Sequence, residues 1–493
     1  MMRYDFAIIG AGVSGMTAAL LLARHGRKVA LIEKSHLPAP TIRGFFRQGV
    51  YFDTGLHYTG SFAPGEMLDV YFRSIGLEGI ERQPFNPDCF DLLRYADRGV
   101  EIPLPIGYDR IHDRLCSLFP RESRAIRTCL DDIRSDFESS PFLNLNLDTD
   151  AERPSSDVQT STLANYLDAL TDDPLLKSVL TMHGLLYGVS PRETSFAAHA
   201  KVAGSYYQSV HGISGGGLSI VRAFETAMTA AGVECHYGNG AKRLLLTPAG
   251  RVRAVALENN DILETEGVIC TTHPGALLDL VPEEALRPIY RRRVKELADT
   301  PSAYILYGIA EEPVELLRGS NLLVSPDSHP HGWFSPTRRP EEGPWYVAAS
   351  QRGQGAQGVV VITPGHIGDF VSWEGSSPGN RPKSYREFKR DRLDEMRTAL
   401  LKHAPELEAV RFIDGATPLT FRDYLHTPSG SLYGVRHSVN QYNPSPATRI
   451  PGLLLAGQSI IAPGLLGAVV SAFITCGFVI GHAALRTELK TCA

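Results

Sequence analysis

Residues 4–33 read YDFAIIGAGVSGMTAALLLARHGRKVALIE. Within this segment, residues 4–9 predict a buried β-strand, residues 16–26 predict an amphipathic helix, and residues 28–32 predict a second strand. A glycine loop with the spacing Gly-x-Gly-x-x-Gly joins the first strand to the helix. Glu33 ends the second strand, where a carboxylate can accept hydrogen bonds from a ribose. This order of strand, glycine loop, helix, strand and acid is typical of a dinucleotide-binding βαβ unit.

Each glycine of the loop has its own geometric role. Gly10 permits the tight turn, Gly12 lets the backbone approach a pyrophosphate, and Gly15 allows the helix to pack closely on the strand. The helix N-terminus, at Val13 and Ser14, supplies free N–H groups and a partial positive charge. A glycine turn in another kind of βαβ unit is the alternative interpretation. These residues alone do not separate FAD from NAD.

Two further blocks favour FAD. GVYFDTGLHYTG occupies residues 49–60, and GLLLAGQS and PGLLGA occupy residues 452–459 and 463–468 near the C-terminus. The C-terminal block predicts a buried strand, a polar turn and the N-terminus of a second helix. A two-ended cofactor needs two such anchors, because the second can place N–H groups near the end at which a reduced flavin carries negative charge.

These blocks resemble the phytoene desaturase, carotenoid isomerase and retinol saturase family of FAD proteins, and the retinol saturase branch is the most similar. Residues 186–200 (LYGVSPRETSFAAHA), 212–246 and 427–438 (TPSGSLYGVRHS) are similar to further motifs of that family, in the same order. The resemblance covers most of the chain and is weakest across about 61–180 and 310–410. It implies an α/β fold with a discontinuous, Rossmann-like FAD-binding domain of the amine oxidase and phytoene desaturase type.

The resemblance also implies how the chain divides into domains. Residues 1–65, 205–285 and 412–493 are expected to form the FAD-binding domain. Residues 66–204 and 286–411 are expected to form an inserted α+β substrate-binding domain. Each domain is therefore built from segments that lie far apart in the chain.

The cofactor contacts implied by the resemblance include two departures from the family pattern. Residues 39–44 (APTIRG) stand where the family carries Gly-Gly-Arg, and whether Arg43 replaces the usual arginine is left open. Gln458 stands where many relatives carry an acid, and its amide can still hydrogen-bond ribityl hydroxyls. The residues expected to hold noncovalent FAD are Gly10, Gly12, Val13, Ser14, Gly15, Glu33, Lys34, Arg43, Gly55, Leu56, His57, Ala241, Gly457, Gln458, Gly464, Leu466, Gly467 and Ala468.

Tyrosines and histidines in the same motifs are the candidates for proton transfer, while the flavin exchanges hydride with substrate carbons placed over its N5 atom. The catalytic candidates are Tyr433, His57 and Tyr187. Packing is the alternative role for each tyrosine, and a hydrogen bond to the cofactor loop is the alternative for His57. No HExxH-type spacing is present, so we predict no metal site. Further candidates are Tyr58, Tyr206, Tyr207 and His437.

The resemblance implies an FAD-dependent oxidoreductase that acts on carbon–carbon bonds of a long apolar isoprenoid or polyene. A saturase or ene-reductase reaction through hydride transfer at flavin N5 is the first interpretation. A desaturase, a carotenoid-type isomerase or an amine-oxidase-like oxidase on the same scaffold is the alternative, and a non-catalytic prenyl-binding escort protein is the second alternative. The glycine loop, Glu33 and the C-terminal block disfavour the escort protein. The electron source is left open, with reduced nicotinamide as one choice.

Composition excludes several other classes. The 493 residues are 43% hydrophobic and 21% charged, as in an ordinary globular chain. A net charge of −5 provides no basic field for nucleic acid, and seven cysteines without a CxxC pair predict the reduced thiols of a cytoplasmic protein. Residues 465–485 are long and apolar enough to span a bilayer, but Ser471, Thr475 and His482 favour a core helix. A peripheral membrane contact and the oligomeric state are left open.

Overall fold

The computed structural model of the chain describes residues 3–147, 161–350 and 355–493. The strands are β1 (Arg3–Ile9), β2 (Val29–Glu33), β3 (Phe45–Arg47), β4 (Val50–Phe52), β5 (Thr59–Gly60), β6 (Arg82–Pro84), β7 (Asp91–Tyr95), β8 (Val100–Leu104), β9 (Val210–Ile213), β10 (Glu234–Tyr237), β11 (Ala241–Leu246), β12 (Val252–Leu257), β13 (Ile262–Cys270), β14 (Ser302–Ala310), β15 (Asn321–Ser325), β16 (Trp345–Ser350), β17 (Gln357–Gly365), β18 (Arg411–Ala416) and β19 (Leu453–Leu455). The α-helices are α1 (Val13–Arg24), α2 (Met67–Ser74), α3 (Tyr108–Leu118), α4 (Ser123–Glu138), α5 (Leu163–Leu170), α6 (Pro174–Thr181), α7 (Phe196–Gln208), α8 (Gly217–Ala230), α9 (Leu277–Leu280), α10 (Pro288–Lys295), α11 (Lys383–His403), α12 (Pro418–Leu425), α13 (Gly464–Ile480) and α14 (His482–Cys492).

The first sheet carries the glycine loop and is parallel at its centre. Its strands lie in the order β10–β2–β1–β13, and β19 pairs with the C-terminal end of β13. The N-terminal end of β13 pairs instead with the antiparallel strand β12, which in turn pairs with β11. Helix α1 joins β1 to β2, because neighbouring parallel strands require a crossover. The α/β fold class and the βαβ unit predicted from the sequence are confirmed.

The second sheet has the order β18–β14–β17–β16–β15–β7–β8. Its pairs are antiparallel except for β15 and β7, which run parallel. Helix α11 covers one face, where Leu393, Met396 and Leu400 pack against strand residues. On the opposite face, Phe52 of β4 and Phe421 of α12 pack against β14 and β17. Both faces of this sheet are therefore covered by other elements of the chain.

The second sheet extends beyond residue 411, where the sequence predicts that the substrate-binding domain ends. Strand β18 carries the sheet on to Ala416. Ile305 of β14 pairs with Ala416, so the sheet continues to that residue. The first half of β18 is exposed or half-buried, because it is an edge strand whose outer side faces solvent. An edge strand of this kind lacks the apolar run by which the other strands are recognised.

The apolar segment predicted as one helix over residues 465–485 is two helices. Helix α13 ends at Ile480 because Gly481 has a φ of +105°, and α14 begins at His482. Helix α13 lies beside α1, and Ser14 Oγ donates a 2.6 Å hydrogen bond to the Ala468 carbonyl oxygen. In the ranges that the structure describes, no helix combines the length and hydropathy needed to cross a bilayer.

We expect Arg486 to anchor the C-terminal helix. Its buried guanidinium donates hydrogen bonds to the carbonyl oxygens of Pro141, Leu145 and Leu147. Arg486→Met removes the donor for all three, so the free energy of unfolding should fall by about 2–3 kcal/mol in chemical denaturation. The control is Lys490→Met, an exposed position on the same helix, which should change stability by less than about 0.5 kcal/mol. Equal stability of the two variants would contradict the anchoring role.

Candidate active site

A cavity of about 1100 Å³ extends from the glycine loop of the first sheet to the second sheet. The first sheet contributes Ile9 and Ile32, at the carboxyl ends of β1 and β2. The second sheet contributes Tyr307 of β14 and Ile362 of β17. The carboxyl edge of a parallel sheet is the usual place for a ligand in an open α/β fold, because crossovers leave a crevice there. Residues of both sheets therefore line the same cavity.

The glycine loop opens toward this cavity. Gly10 has a φ of +101°, and a Cβ added at Gly15 would lie 1.9 Å from the Gly10 carbonyl oxygen, so α1 rests directly on the turn. A Cβ added at Gly12 would meet no atom within 4 Å. No side chain caps the N-terminus of α1, which leaves its first N–H groups available to an anion. Gly12 therefore faces the open space in which a pyrophosphate would lie.

Glu33 is fixed beside this loop by two backbone hydrogen bonds. Its Oε2 accepts from the Ala11 N–H at 2.7 Å, and its Oε1 accepts from the Ser35 N–H at 2.8 Å. Each carboxylate oxygen keeps a further lone pair for a ribose hydroxyl. Lys34 and Ala241 line the same region of the cavity. These residues have the placement that the sequence predicts for the adenosine end of a dinucleotide.

Arg43 also lines the cavity, in the segment that departs from the family pattern. Its Nη1 donates to the Pro38 carbonyl oxygen at 2.9 Å, and burial lowers the pKa of its guanidinium. Gly55 and Leu56 lie nearby in the lining, where a Cβ on Gly55 would come within 2.7 Å of the Thr41 carbonyl oxygen. The segments around Arg43 and Gly55 therefore pack together and share one wall.

The C-terminal block supplies the other end of the cofactor space. Gly457 has a φ of +116°, and its N–H donates to Ser471 Oγ at 2.8 Å. Helix α13 begins at Gly464 with no side-chain cap, so a second uncapped helix N-terminus adjoins the cavity. Of the cofactor residues predicted from sequence, the lining includes all but Gly15, Leu466 and Gly467. Those three are packing residues: Gly15 rests on the turn, a Cβ on Gly467 would lie 2.5 Å from the Ala462 carbonyl oxygen, and Leu466 packs on the first core.

The structure places two of the three catalytic candidates in the cavity. His57 and Tyr433 line it, and the Tyr433 hydroxyl donates to the Leu185 carbonyl oxygen at 3.0 Å. Tyr187 does not belong to the lining; its hydroxyl lies 2.9 Å from His199 Nδ1 in the protein interior. Burial lowers the pKa of His199 to about 3, so this pair is uncharged. The expectation that Tyr187 lies near the substrate does not fit this geometry.

Sequence reasoning missed two residues of this region, Tyr346 and Asp91. Tyr346 lines the cavity, with its ring centroid 5.7 Å from that of His57. Asp91 lies behind the lining, where its Oδ2 accepts a 3.0 Å hydrogen bond from the Tyr58 hydroxyl. Both come from segments in which the family motifs are weakest. The signal available for Asp91 is an acidic residue at the start of a mostly buried strand, before Leu92 and Leu93.

Comparison with known proteins agrees with this geometry. The family model described as flavin containing amine oxidoreductase matches residues 13–479. The chain belongs to this family. All-trans-retinol 13,14-reductase of Homo sapiens is 25% identical, with 99% of this chain and 87% of that protein covered. Zeta-carotene-forming phytoene desaturase of Myxococcus xanthus is 26% identical, with 92% and 89% covered. The crystal structure of an oxidoreductase from Methanosarcina mazei has a TM-score of 0.67 at 16% identity, over 96% of this chain and 99% of that one.

As a flavin containing amine oxidoreductase, the chain is an FAD-dependent oxidoreductase, and the predicted resemblance is confirmed. Its own residues fit FAD, because the open space at Gly12 and the carboxylate of Glu33 suit the adenosine diphosphate half. Gln458 and the N-terminus of α13 suit the flavin half. When bound there, FAD supplies the two-electron redox chemistry, and the protein supplies position and charge.

We expect Gly12→Val to abolish FAD binding without unfolding the protein. Gly12 has a φ of −73°, which any residue adopts, and its Cβ position is open, but the new side chain would occupy the pyrophosphate space. Flavin released on denaturation measures binding, and the thermal transition of the apoprotein measures folding. Gly15→Ala is the contrast, since its Cβ meets the Gly10 carbonyl oxygen and should lower stability itself. A Gly12→Val protein that keeps stoichiometric FAD would refute the assignment.

Proposed function

We propose that the protein reduces a carbon–carbon double bond of a long apolar isoprenoid or polyene, with FAD held noncovalently. The observation that carries the proposal is the set of apolar side chains in the cavity lining. They include Leu185, Leu186, Phe334, Ile362 and Leu432. The names of the two curated relatives, a retinol reductase and a phytoene desaturase, support a polyene as the substrate. A desaturase, an isomerase or an amine oxidase on the same scaffold is the alternative.

Tyr433 is our proposed proton-transfer residue for this reaction. A Cβ added at Gly434 would lie 2.2 Å from Ser459 Oγ, so the backbone that follows Tyr433 runs against the flavin-end turn. Burial raises the pKa of Tyr433, so the phenol keeps its proton until a substrate carbon takes it. Its hydrogen bond to Leu185 holds the ring in the lining. Reduction of a double bond requires one proton and one hydride on adjacent carbons, and a protonated phenol at this place can deliver the proton.

Tyr433→Phe should lower turnover by roughly a hundredfold or more while leaving FAD binding unchanged, because it removes the proton donor and keeps the ring. The matched control is Tyr71→Phe. Tyr71 is also buried and also donates to a backbone carbonyl oxygen, that of Phe142, but it does not line the cavity. Turnover of Tyr71→Phe should stay near that of the wild type. Full activity of Tyr433→Phe would remove Tyr433 from the mechanism.

The reaction direction is tested by anaerobic mixing of the reduced enzyme with a panel of polyenes. We expect the oxidised flavin spectrum to return as a polyene gains two hydrogen atoms, identified by mass spectrometry. Related polyenes should also react, because each methylene in an apolar pocket is worth only about 1–3 kcal/mol. Flavin reduction by an amine, in the oxidised enzyme, would favour the amine oxidase instead. An FAD-free protein that binds prenyl groups would favour the escort protein.

A peripheral contact with a cytoplasmic membrane face is our proposal for how the protein meets an apolar substrate. Tyr424 lines the cavity and is 59% exposed, so the cavity reaches the protein surface beside an aromatic side chain. Apolar substrates partition into bilayers, and an exposed tyrosine suits the interface. Flotation with lipid vesicles tests this, with Tyr424→Ser as the variant expected to bind vesicles less.

A further inference from the structure

Three tyrosines form one side of the cavity, and we name them the aromatic wall: Tyr58, Tyr206 and Tyr346. The ring centroid of Tyr58 lies 4.8 Å from that of Tyr206 and 6.0 Å from that of Tyr346. The Tyr58 and Tyr346 rings are stacked, with an interplanar angle of 17°. Aromatic faces carry partial negative charge, so a wall of this kind attracts a cation as well as an apolar chain.

A carboxylate lies directly behind this wall. Asp91 is 1% exposed, and its Oδ2 accepts from the Tyr58 hydroxyl at 3.0 Å. Its Oδ1 accepts from Asn321 Nδ2 at 2.9 Å. Both partners donate to the carboxyl group, which is the pattern of an ionised carboxylate. Burial raises the pKa of Tyr58 and the Asp91 charge adds to this effect, so the phenol stays protonated and keeps donating.

His183 is the basic side chain next to this carboxylate, and it makes no hydrogen bond to it. His183 Nε2 lies 3.7 Å from Asp91 Oδ2, which is beyond hydrogen-bond distance. Among the described residues, neither ring nitrogen of His183 has a hydrogen-bond partner. The imidazole is fully buried and stacks on Tyr206 and Phe90. Hydrogen bonds thus support a charge on Asp91, which has two donors, and none supports a charge on His183.

We propose that Asp91 is a positioning residue that makes the aromatic wall a binding surface for a positive centre on the substrate. This inference rests on the proposed function. In double-bond reduction, a proton adds to one carbon and leaves an allylic cation, and a hydride carrying two electrons from the reduced flavin then adds to the other carbon. Desaturation runs the two steps in reverse. The substrate bears one positive charge between the steps in either direction, and a buried carboxylate behind aromatic faces stabilises it.

A protonated amine carries the same charge before any reaction takes place. Both substrates would therefore place a positive charge against the aromatic wall. A polyene would do so only during turnover, and an amine would do so before any reaction. We favour the polyene because the same lining includes apolar side chains such as Leu185, Leu186 and Phe334. Parallel turnover assays with polyenes and with long-chain amines separate the two sources.

The test compares two probes that differ only in charge: a long-chain allyl trimethylammonium salt and its uncharged tert-butyl isostere. Titration of the FAD-loaded holoenzyme, followed by the flavin spectrum, gives both dissociation constants. We expect the wild type to prefer the cation by about tenfold or more, because the carboxylate lies in a low-dielectric interior. Asp91→Asn keeps the side-chain shape and removes the charge. It should lose most of that preference, while the affinity for the neutral isostere changes by less than about twofold.

An unchanged preference in Asp91→Asn would overturn the proposal, and so would an equal loss of affinity for both probes, which marks a structural role only. If Asp91→Asn does not fold or retain FAD, Tyr58→Phe is the second variant. It keeps the ring and removes the hydrogen bond through which the carboxylate polarises the wall. We expect a preference reduced by about threefold, with the neutral isostere unaffected. An unchanged preference in Tyr58→Phe would likewise overturn the proposal.

The same experiment separates this proposal from the proposed function. If the enzyme turns over polyenes but Asp91→Asn leaves the cation preference unchanged, the proposed function stands and the aromatic wall does not have the proposed role. A cation preference that depends on Asp91, with turnover of amines and not of polyenes, would support the wall and overturn the polyene reductase.

Discussion

A Cβ at Gly15 would lie 1.9 Å from the Gly10 carbonyl oxygen, so α1 rests on its own turn only because that position has no side chain. This contact fixes the axis of α1 relative to the first sheet. It thereby fixes Ser14, whose hydroxyl binds the Ala468 carbonyl oxygen in the first turns of α13. The two helix N-termini consequently adjoin one cavity, although they lie at opposite ends of the chain. The cofactor space depends on this arrangement more than on any single polar contact.

The cavity is electrically asymmetric along its length. At the cofactor end, two uncapped helix N-termini present partial positive charge, which suits the phosphates and a reduced flavin. At the aromatic wall, the buried carboxylate of Asp91 contributes the opposite sign. Hydride exchange between a substrate and a flavin moves negative charge between these two regions. The fold thus has positive potential at the flavin end of the cavity and negative potential at the aromatic wall.

The parts of the fold that could be predicted from sequence are those encoded locally. The glycine loop and Glu33 are close in sequence and in space, so their spacing alone specifies the βαβ unit and its part of the cavity lining, whereas the other predicted cofactor residues came from the family resemblance. The break between α13 and α14 was missed because a glycine within an apolar run does not reveal its φ, which is +105° at Gly481. Tyr187 was misplaced because a motif identifies a segment and not the direction of each side chain. Asp91 was missed because its environment comes from β15, a parallel partner far along the chain.

The first sheet pairs strands from distant parts of the chain, and this affects how the sheet forms during synthesis. Strands β1 and β2 are joined by α1 and can assemble as soon as they are made, but β13 pairs with β19, which begins only at Leu453. During translation, the C-terminal edge of β13 therefore stays unpaired while residues 271–452 are synthesised. An open apolar strand edge is a site for aggregation, and contacts between distant segments form slowly. The nascent chain is thus most vulnerable to misassembly just before its last helices appear, and chaperone protection matters most in that interval.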